Sequence, residues 1–221
     1  MRRIRLKRGS WVAVFLIFSM ACRDAKRYHD DKPVQKEWTS RALQEIDSFQ
    51  QQLNAEFRDP EQSPLPDRYR KNFNGLDFFE PDTSYRVWAQ LEYTPDAIPF
   101  LMPTTTERKS TEVVYAIAHF KINGKSFELE IYQNQDLLED PAYADYLFLP
   151  FLDETNGNET YAGGRYIDLR IPERDSILID FNTAYNPYCV YNKKYSCPIV
   201  PKVNMMPTTV RAGVKAFRPK K

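Results

Sequence analysis

Apolar residues near the start of the chain recur at steps of three and four positions, which places them on one face of a helix. The residues of this stripe are Val34, Trp38, Ala42, Ile46, Phe49, Leu53 and Phe57. Asp31 and Pro33 are start signals, and Asp59-Pro60 ends the pattern. The spacing predicts one amphipathic helix that packs on its own domain, with a dimer seam as the alternative.

The rest of the chain follows a strand pattern. Apolar and polar residues alternate over 85–93, and Asn123-Gly124 separates two further alternating segments, 112–122 and 126–132. Asn-Gly favours the positive φ angles of a type I′ hairpin turn. Further strands are predicted at 146–152, 164–171, 176–181 and 208–217. We therefore predict a mainly β fold, an antiparallel β-sandwich or barrel with one N-terminal helix, in a single domain of residues 33–221.

Residues 1–21 have the pattern of a secretory signal peptide. Five basic residues lie within the first eight positions, and an apolar or small-residue run follows from Trp11 to Ala21. Eleven helical residues reach about 17 Å, which is short of the ~30 Å hydrocarbon core. The run therefore indicates export rather than a permanent span.

The signal ends at Ser19-Met20-Ala21-Cys22, which resembles a bacterial lipobox. In that interpretation Cys22 is acylated, residues 22–32 form a polar tether, and the protein is exported to the cell envelope, in the periplasm or at the outer membrane. Its membrane contact is then made through the lipid. An uncleaved anchor, soluble secretion and an incidental thiol are the alternatives.

Removal of residues 1–21 makes the chain mildly acidic. The signal contains five of the 31 basic residues and none of the 30 acidic ones, so the remainder has 26 basic residues and a formal net charge of −4. Such a balance excludes a basic footprint for nucleic acid, and we predict no nucleic-acid partner.

Histidine is nearly absent, which excludes several catalytic and metal sites. His29 lies in the tether, and His119 lies on a predicted strand, where a structural role is expected. The chain has no CxxC motif, and the run 153–159 misses the EF-hand pattern and is expected to be a solvated turn. We predict no metal and no cofactor.

Charged residues of the C-terminal third suggest a site. Asp168 lies on one face of strand 164–171, while Arg165 lies on the opposite, apolar face, where a charge needs a partner. Arg165 could form a structural bridge with an aspartate. Alternatively, Arg165 binds an anionic group while Asp168 and Asp180 orient it. As a further alternative, two nearby carboxylates could act as acid and base on a glycoside.

A tyrosine- and asparagine-rich segment follows this strand, and it could pack on itself or contact a polar ligand. We predict that the ligand-binding residues are Arg165, Tyr166, Asp168, Asp180, Asn182, Tyr185, Asn186 and Tyr188.

Cys189 and Cys197 are the two cysteines beyond Cys22. In an exported protein the default is a disulfide that closes a small loop. Buried free thiols and a nucleophilic cysteine are the alternatives, although a nucleophile needs a base or a cationic neighbour.

Three runs identify a family resemblance: Gly164-Arg165-Tyr166 with Asp168-Leu169, the segment Asp180–Tyr191, and Cys197-Pro198. Together with Phe148–Asp153 upstream, they resemble the signature of domain-of-unknown-function family 1684, over roughly residues 35–215. The resemblance implies that the polar cluster is a shared feature, and it implies no activity. This chain reads Ala212-Gly213-Val214 where the family often has Ala-Gly-Glu.

From these observations we expect a lipid-anchored envelope protein that binds a small polar or anionic ligand. A hydrolase of envelope glycans or esters, with Asp168 and Asp180 as acid and base, is the first alternative. A structural envelope module, in which the motif only holds the fold, is the second. The sequence does not decide whether the protein is an enzyme.

Overall fold

The computed structural model describes residues 31–218, and it describes side chains from residue 41 onward. The predicted signal peptide, Cys22 and the tether up to residue 30 therefore lie outside the described residues. Helix α1 begins at Asp31, so the last two residues of the predicted tether are helical.

Helix α1, Asp31–Arg58, has the bounds that its start and stop signals predict. Within the described side chains, Ala42, Ile46, Leu53 and Phe57 of the stripe are buried. The stripe packs on the chain's own domain, where Leu53 and Phe57 contact the segment around Tyr191. A second helix, α2, is one turn long, Asp67–Arg70.

The described part of the chain is mainly β, as predicted, and its seven strands form one curled antiparallel sheet, a half-barrel. The strand order is β6-β5-β4-β3-β1-β7, and β2 pairs with the remaining part of β3. The strands are β1 Arg86–Tyr93, β2 Phe100–Pro103, β3 Lys109–Ile122, β4 Lys125–Asn134, β5 Tyr146–Phe151, β6 Arg165–Arg170 and β7 Ser176–Asp180.

The β3–β4 hairpin turns at the predicted dipeptide. Asn123 has φ 50° and Gly124 has φ 79°, which are the positive values that a type I′ turn requires. The register then runs from Ile122 opposite Lys125 to Glu112 opposite Asn134, with one irregularity between Val114 and Ala116.

The prediction of a strand at 208–217 is wrong. That segment is irregular and makes one isolated bridge, between Val214 and Phe78. Its carbonyl groups at Val210, Ala212 and Val214 bond to the side chain of Arg165 instead of a neighbouring strand. Strand β2 was not predicted, because a four-residue edge strand is too short to show alternation.

The sheet has two faces with different roles. Paired residues of neighbouring strands share a face, and we call the face toward the main apolar core the inner face. Leu149, Ile167 and Phe151 lie on it and pack against Phe181 after β7. The opposite, outer face carries Asp168, Phe148 and Tyr132 at paired positions, and residues 185–200 cover part of it.

Candidate functional site

Two tyrosine hydroxyls converge on one carboxylate on the outer face. Tyr146 Oη donates to Asp168 Oδ1 at 2.8 Å, and Tyr185 Oη donates to the same oxygen at 2.7 Å. We call these three residues the tyrosine–aspartate cluster. Both of these hydrogen bonds use Oδ1 of Asp168 and not Oδ2.

Three different segments bring the cluster together. Asp168 lies on β6, and Tyr146 comes from β5, where it pairs with Arg170. Tyr185 arrives from the segment after β7, because its backbone forms a two-bond bridge with Tyr166, each N–O distance being 2.9 Å. The cluster therefore depends on strand pairing and not on closeness in sequence.

The carboxylate of Asp168 is open to solvent yet close to packed side chains. The residue is exposed to solvent, yet burial is the largest cause that raises its pKa, and it outweighs the tyrosine hydrogen bonds, which lower it. Burial and the Asp168 charge also raise the pKa values of Tyr146 and Tyr185, so both hydroxyls stay protonated donors at neutral pH.

Tyr166 and Tyr188 form the wall beside the cluster. Tyr166 is buried, its hydroxyl donates to the Pro198 carbonyl, and its ring is edge-on to Tyr185 with centroids 5.9 Å apart. Tyr188 is half-buried and lies edge-on to Tyr195 at 5.4 Å. Four of the predicted residues, Tyr166, Asp168, Tyr185 and Tyr188, are thus brought together.

The Arg165 side chain lies on the inner face of the sheet, away from the tyrosine–aspartate cluster on the outer face. The side chain is fully buried, and its Nη2 lies 2.9 Å from Asp153 Oδ2 and 2.8 Å from the Val210 carbonyl. Its Nη1 donates to the carbonyls of Ala212 and Val214. This arrangement contains the structural bridge that the sequence offers as an alternative, whereas binding of a ligand by Arg165 stays a prediction.

Asp180 and Asn182 also hold the fold. Asp180 Oδ1 accepts from the Asn182 backbone and side chain at 2.9 and 2.8 Å, which caps the turn after β7. Asn182 in turn exchanges two 2.9 Å hydrogen bonds with the Asp82 backbone. The Asp180 carboxylate therefore bonds within its own turn and not near Asp168. Asn182 of that turn bonds to the segment before β1.

Asn186 is buried beneath the C-terminal segment. Its Nδ2 donates to the Lys215 carbonyl at 2.9 Å and to Tyr191 Oη at 3.2 Å. It therefore holds the segment after β7 against residue 215.

Cys189 and Cys197 are adjacent free thiols in the described structure, where the Cys189 amide lies 3.2 Å from Cys197 Sγ. Burial raises the pKa of the Cys197 thiol to about 12, so at neutral pH it is not a thiolate nucleophile. The disulfide between Cys189 and Cys197 stays a prediction. The two residues already lie next to each other, as that bond requires.

Sequence reasoning missed further polar residues of the outer face. The hydroxyl of Tyr132 donates to Glu130 Oε2 at 2.6 Å, and Asn134 Nδ2 donates to Glu112 Oε1 at 2.6 Å. The alternation of apolar and polar residues along 112–122 and 126–132 predicts which face of the sheet each side chain lies on. It does not predict which residues of separate strands contact each other. Among residues 31–218, no group of three or more His, Cys, Asp or Glu side chains is arranged to hold a metal ion.

Glu112 gives a prediction about pH. It is 2% exposed, and burial raises its pKa, so the folded state loses stability as pH rises from the ordinary glutamate pKa to the raised one. We expect Glu112→Gln to gain stability relative to the unchanged chain as pH increases from about 4 upward, until the raised pKa is passed. Urea unfolding at several pH values measures this difference.

The matched control is Glu173→Gln, at an exposed position after β6. Its free energy of unfolding should follow that of the unchanged chain across the same pH range. A Glu112→Gln variant whose difference from the unchanged chain stays flat with pH would contradict the raised pKa, because it would mean that this carboxyl titrates alike in the folded and unfolded states.

A separate groove of about 790 Å³ lies against the C-terminal segment. Rings of Tyr69, Phe73, Tyr191 and Phe217 line it, together with several amides and cationic side chains. None of the eight predicted ligand-binding residues lines this groove.

Comparisons with known proteins give a family and a fold. A family model described as "Protein of unknown function (DUF1684)" matches residues 71–215. A search of curated proteins found no match. The chain is also similar to an uncharacterized protein of Haloarcula marismortui solved by solution NMR, with 31% identity and a TM-score of 0.62. That match covers 83% of this chain and 96% of the other. The chain therefore belongs to the DUF1684 family of proteins of unknown function.

Proposed function

We propose that this protein is a lipid-anchored envelope protein that binds a small polar ligand at the tyrosine–aspartate cluster. The observation that carries the proposal is the solvent-reached Asp168 carboxylate, which two tyrosine hydroxyls at 2.7 and 2.8 Å hold in one orientation. A preoriented carboxylate beside aromatic rings is typical of sites that bind hydroxyl or amino groups.

A polar ligand with donor groups fits the cluster better than an anionic one. The anionic alternative depended on Arg165, whose side chain is enclosed and bonded to Asp153. Arg170 is the arginine nearest to the cluster in sequence, and its Nη1 already bonds to Asp145 Oδ1 at 2.8 Å. Its guanidinium also lies over the Tyr146 ring, 5.8 Å from the centroid, so the cluster presents the Asp168 carboxylate with a cation that is already paired beside it.

The proposed export and anchoring rest on residues outside the described range. The cationic start, the short apolar run and the lipobox-like Ser19–Cys22 support a lipid anchor at Cys22. Within the described residues, no helix combines the length and apolar character that a membrane crossing needs.

The hydrolase alternative has less support. It required Asp168 and Asp180 as an acid–base pair, and Asp180 is bonded to Asn182, with Arg86 Nη1 3.7 Å from its Oδ2. A purely structural module accounts for Arg165, Asp180 and Asn182. It gives no reason for an exposed carboxylate held by two tyrosines.

Asp168→Asn tests the proposal. We expect it to weaken binding of a ligand found by screening polar metabolites and glycans by roughly 10- to 100-fold, because a hydrogen bond to a charged group contributes about 1.5–3 kcal/mol. Stability at pH 7 should not fall, since burial raises the pKa of this carboxyl and the neutral amide avoids that penalty. Calorimetric titration and thermal unfolding measure the two effects.

Asp180→Asn is the matched control. Burial raises the pKa of Asp180 as well, so at pH 7 the neutral amide should not lower stability there either, and ligand affinity should stay unchanged because Asp180 is engaged with Asn182 and not with Asp168. If Asp168→Asn bound as tightly as the unchanged chain, or if both variants only lost stability, the binding proposal would fail.

A further inference from the structure

A second carboxylate lies on the same face as the cluster, in an unusual state. Glu112 on β3 is 2% exposed, its Oε1 accepts from Asn134, and the buried Ser110 hydroxyl is a second donor beside it. Burial outweighs both hydrogen bonds and raises the pKa of Glu112. Its negative charge in the interior is therefore only partly compensated.

Strand register places Glu112 on the side of the face that Tyr146 occupies. Glu112 pairs with Asn134 on β4 and with Phe100 on β2, while Tyr132, two residues before Asn134, pairs with Phe148. Phe148 in turn pairs with Asp168. After burial, the charges of Asp168 and of Glu112 are both causes that raise the pKa of Tyr146, so this ring lies within the field of both carboxylates.

The charged groups around the cluster are mainly acidic. They are Glu112 on β3, Glu130 on β4, Asp136 after β4 and Asp168 on β6. Two cations lie on this side. Arg108 Nη2 donates to the Ser196 carbonyl at 2.9 Å. Arg170 Nη1 bonds to Asp145, and its guanidinium lies over the Tyr146 ring, 5.8 Å from the centroid, so one face of that ring already has a cation.

Aromatic rings complete the surroundings. Phe100 and Tyr132 lie edge-on with centroids 6.0 Å apart, and Tyr143 lies edge-on to Tyr146 at 5.9 Å. The faces of such rings attract cations, and they do so more strongly where water is partly excluded.

We infer that the ligand of the cluster carries a protonated amine, which binds Oδ2 of Asp168 beside Tyr146 while the buried Glu112 sets the preference for positive charge. Glu112 makes no contact with the ligand in this arrangement. It acts through its field, which is strong because low-dielectric protein separates it from solvent. The inference rests on the proposed function and adds the class of ligand.

Three compounds with one two-carbon skeleton separate the charge types: ethanolamine, ethylene glycol and glycolate. Titrations of the tyrosine-labelled chain, followed by NMR, give an affinity for each. We expect ethanolamine to shift the Tyr146 signal and to bind at least tenfold more tightly than ethylene glycol, with glycolate the weakest. Glu112→Gln should reduce that preference at least threefold, while Glu173→Gln retains it.

The outcomes distinguish this inference from the proposed function. If ethylene glycol or glycolate bound as tightly as ethanolamine, or if ethanolamine did not bind, the inference would be overturned. The proposed function would stand in either case, provided that a screened polar compound still bound in a manner dependent on Asp168. Retention of the full preference in Glu112→Gln would also overturn the role of Glu112.

Discussion

Arg165→Met should lower the free energy of unfolding by about 3–5 kcal/mol, the largest loss we expect from one substitution in this chain. The guanidinium is fully buried between Asp153 and the carbonyls of residues 210–214. Removing it leaves the Asp153 charge buried without its cation, and the C-terminal segment loses its donors. Urea unfolding followed by circular dichroism measures the change.

Arg170→Met is the control on the same strand. Arg170 and Asp145 form an exposed pair at 2.8 Å, with side chains 57% and 59% exposed, and such pairs contribute less than about 1 kcal/mol. An Arg165→Met variant no less stable than Arg170→Met would show that the buried pair does not hold the C-terminal segment.

Gly213→Ala should destabilise the fold by about 2–4 kcal/mol, from an unfavourable backbone angle and from overpacking. Gly213 has φ +76°, and a methyl group there would lie 2.7 Å from the carbonyl oxygens of Phe181 and Ala184. These backbone atoms belong to the turn that delivers Tyr185 to Asp168, and they cannot move aside without disturbing it. Thermal and urea unfolding measure the loss.

Gly124→Ala separates the two causes. Gly124 has φ +79°, but no atom lies within 4 Å of the position of an added methyl group. Its loss should therefore be near 1 kcal/mol, from the backbone angle alone. Equal losses at residues 124 and 213 would contradict the close packing of Gly213 against the turn.

Local signals in the sequence predict much of this fold. The stripe through Ala42, Ile46, Leu53 and Phe57 specifies the buried face of α1 because helical spacing puts those residues together. Asn123-Gly124 specifies the hairpin because positive φ angles are needed there. The alternation through β6 placed Asp168 and Arg165 on opposite faces, which the strand pairing confirms.

The site is harder to predict because it depends on pairing between distant segments. Tyr146 is 22 residues before Asp168 in the sequence and donates a hydrogen bond to it. Tyr185 donates to the same carboxylate and follows the turn that contains Asn182. The sequence leaves both a structural bridge and a ligand contact open for Arg165, because its partner, Asp153, follows a different strand and cannot be identified from spacing. The strand prediction at 208–217 failed for the same reason, since those carbonyls bond to a side chain and not to a strand.

The most direct test of the tyrosine–aspartate cluster is NMR mapping of polar compounds on the chain labelled at tyrosine. The account predicts that a compound that binds shifts the signals of Tyr146 and Tyr185, and that Asp168→Asn weakens those shifts at equal concentration. Shifts confined to Tyr69 and Tyr191, which line the C-terminal groove, or binding that Asp168→Asn leaves unchanged, would contradict it.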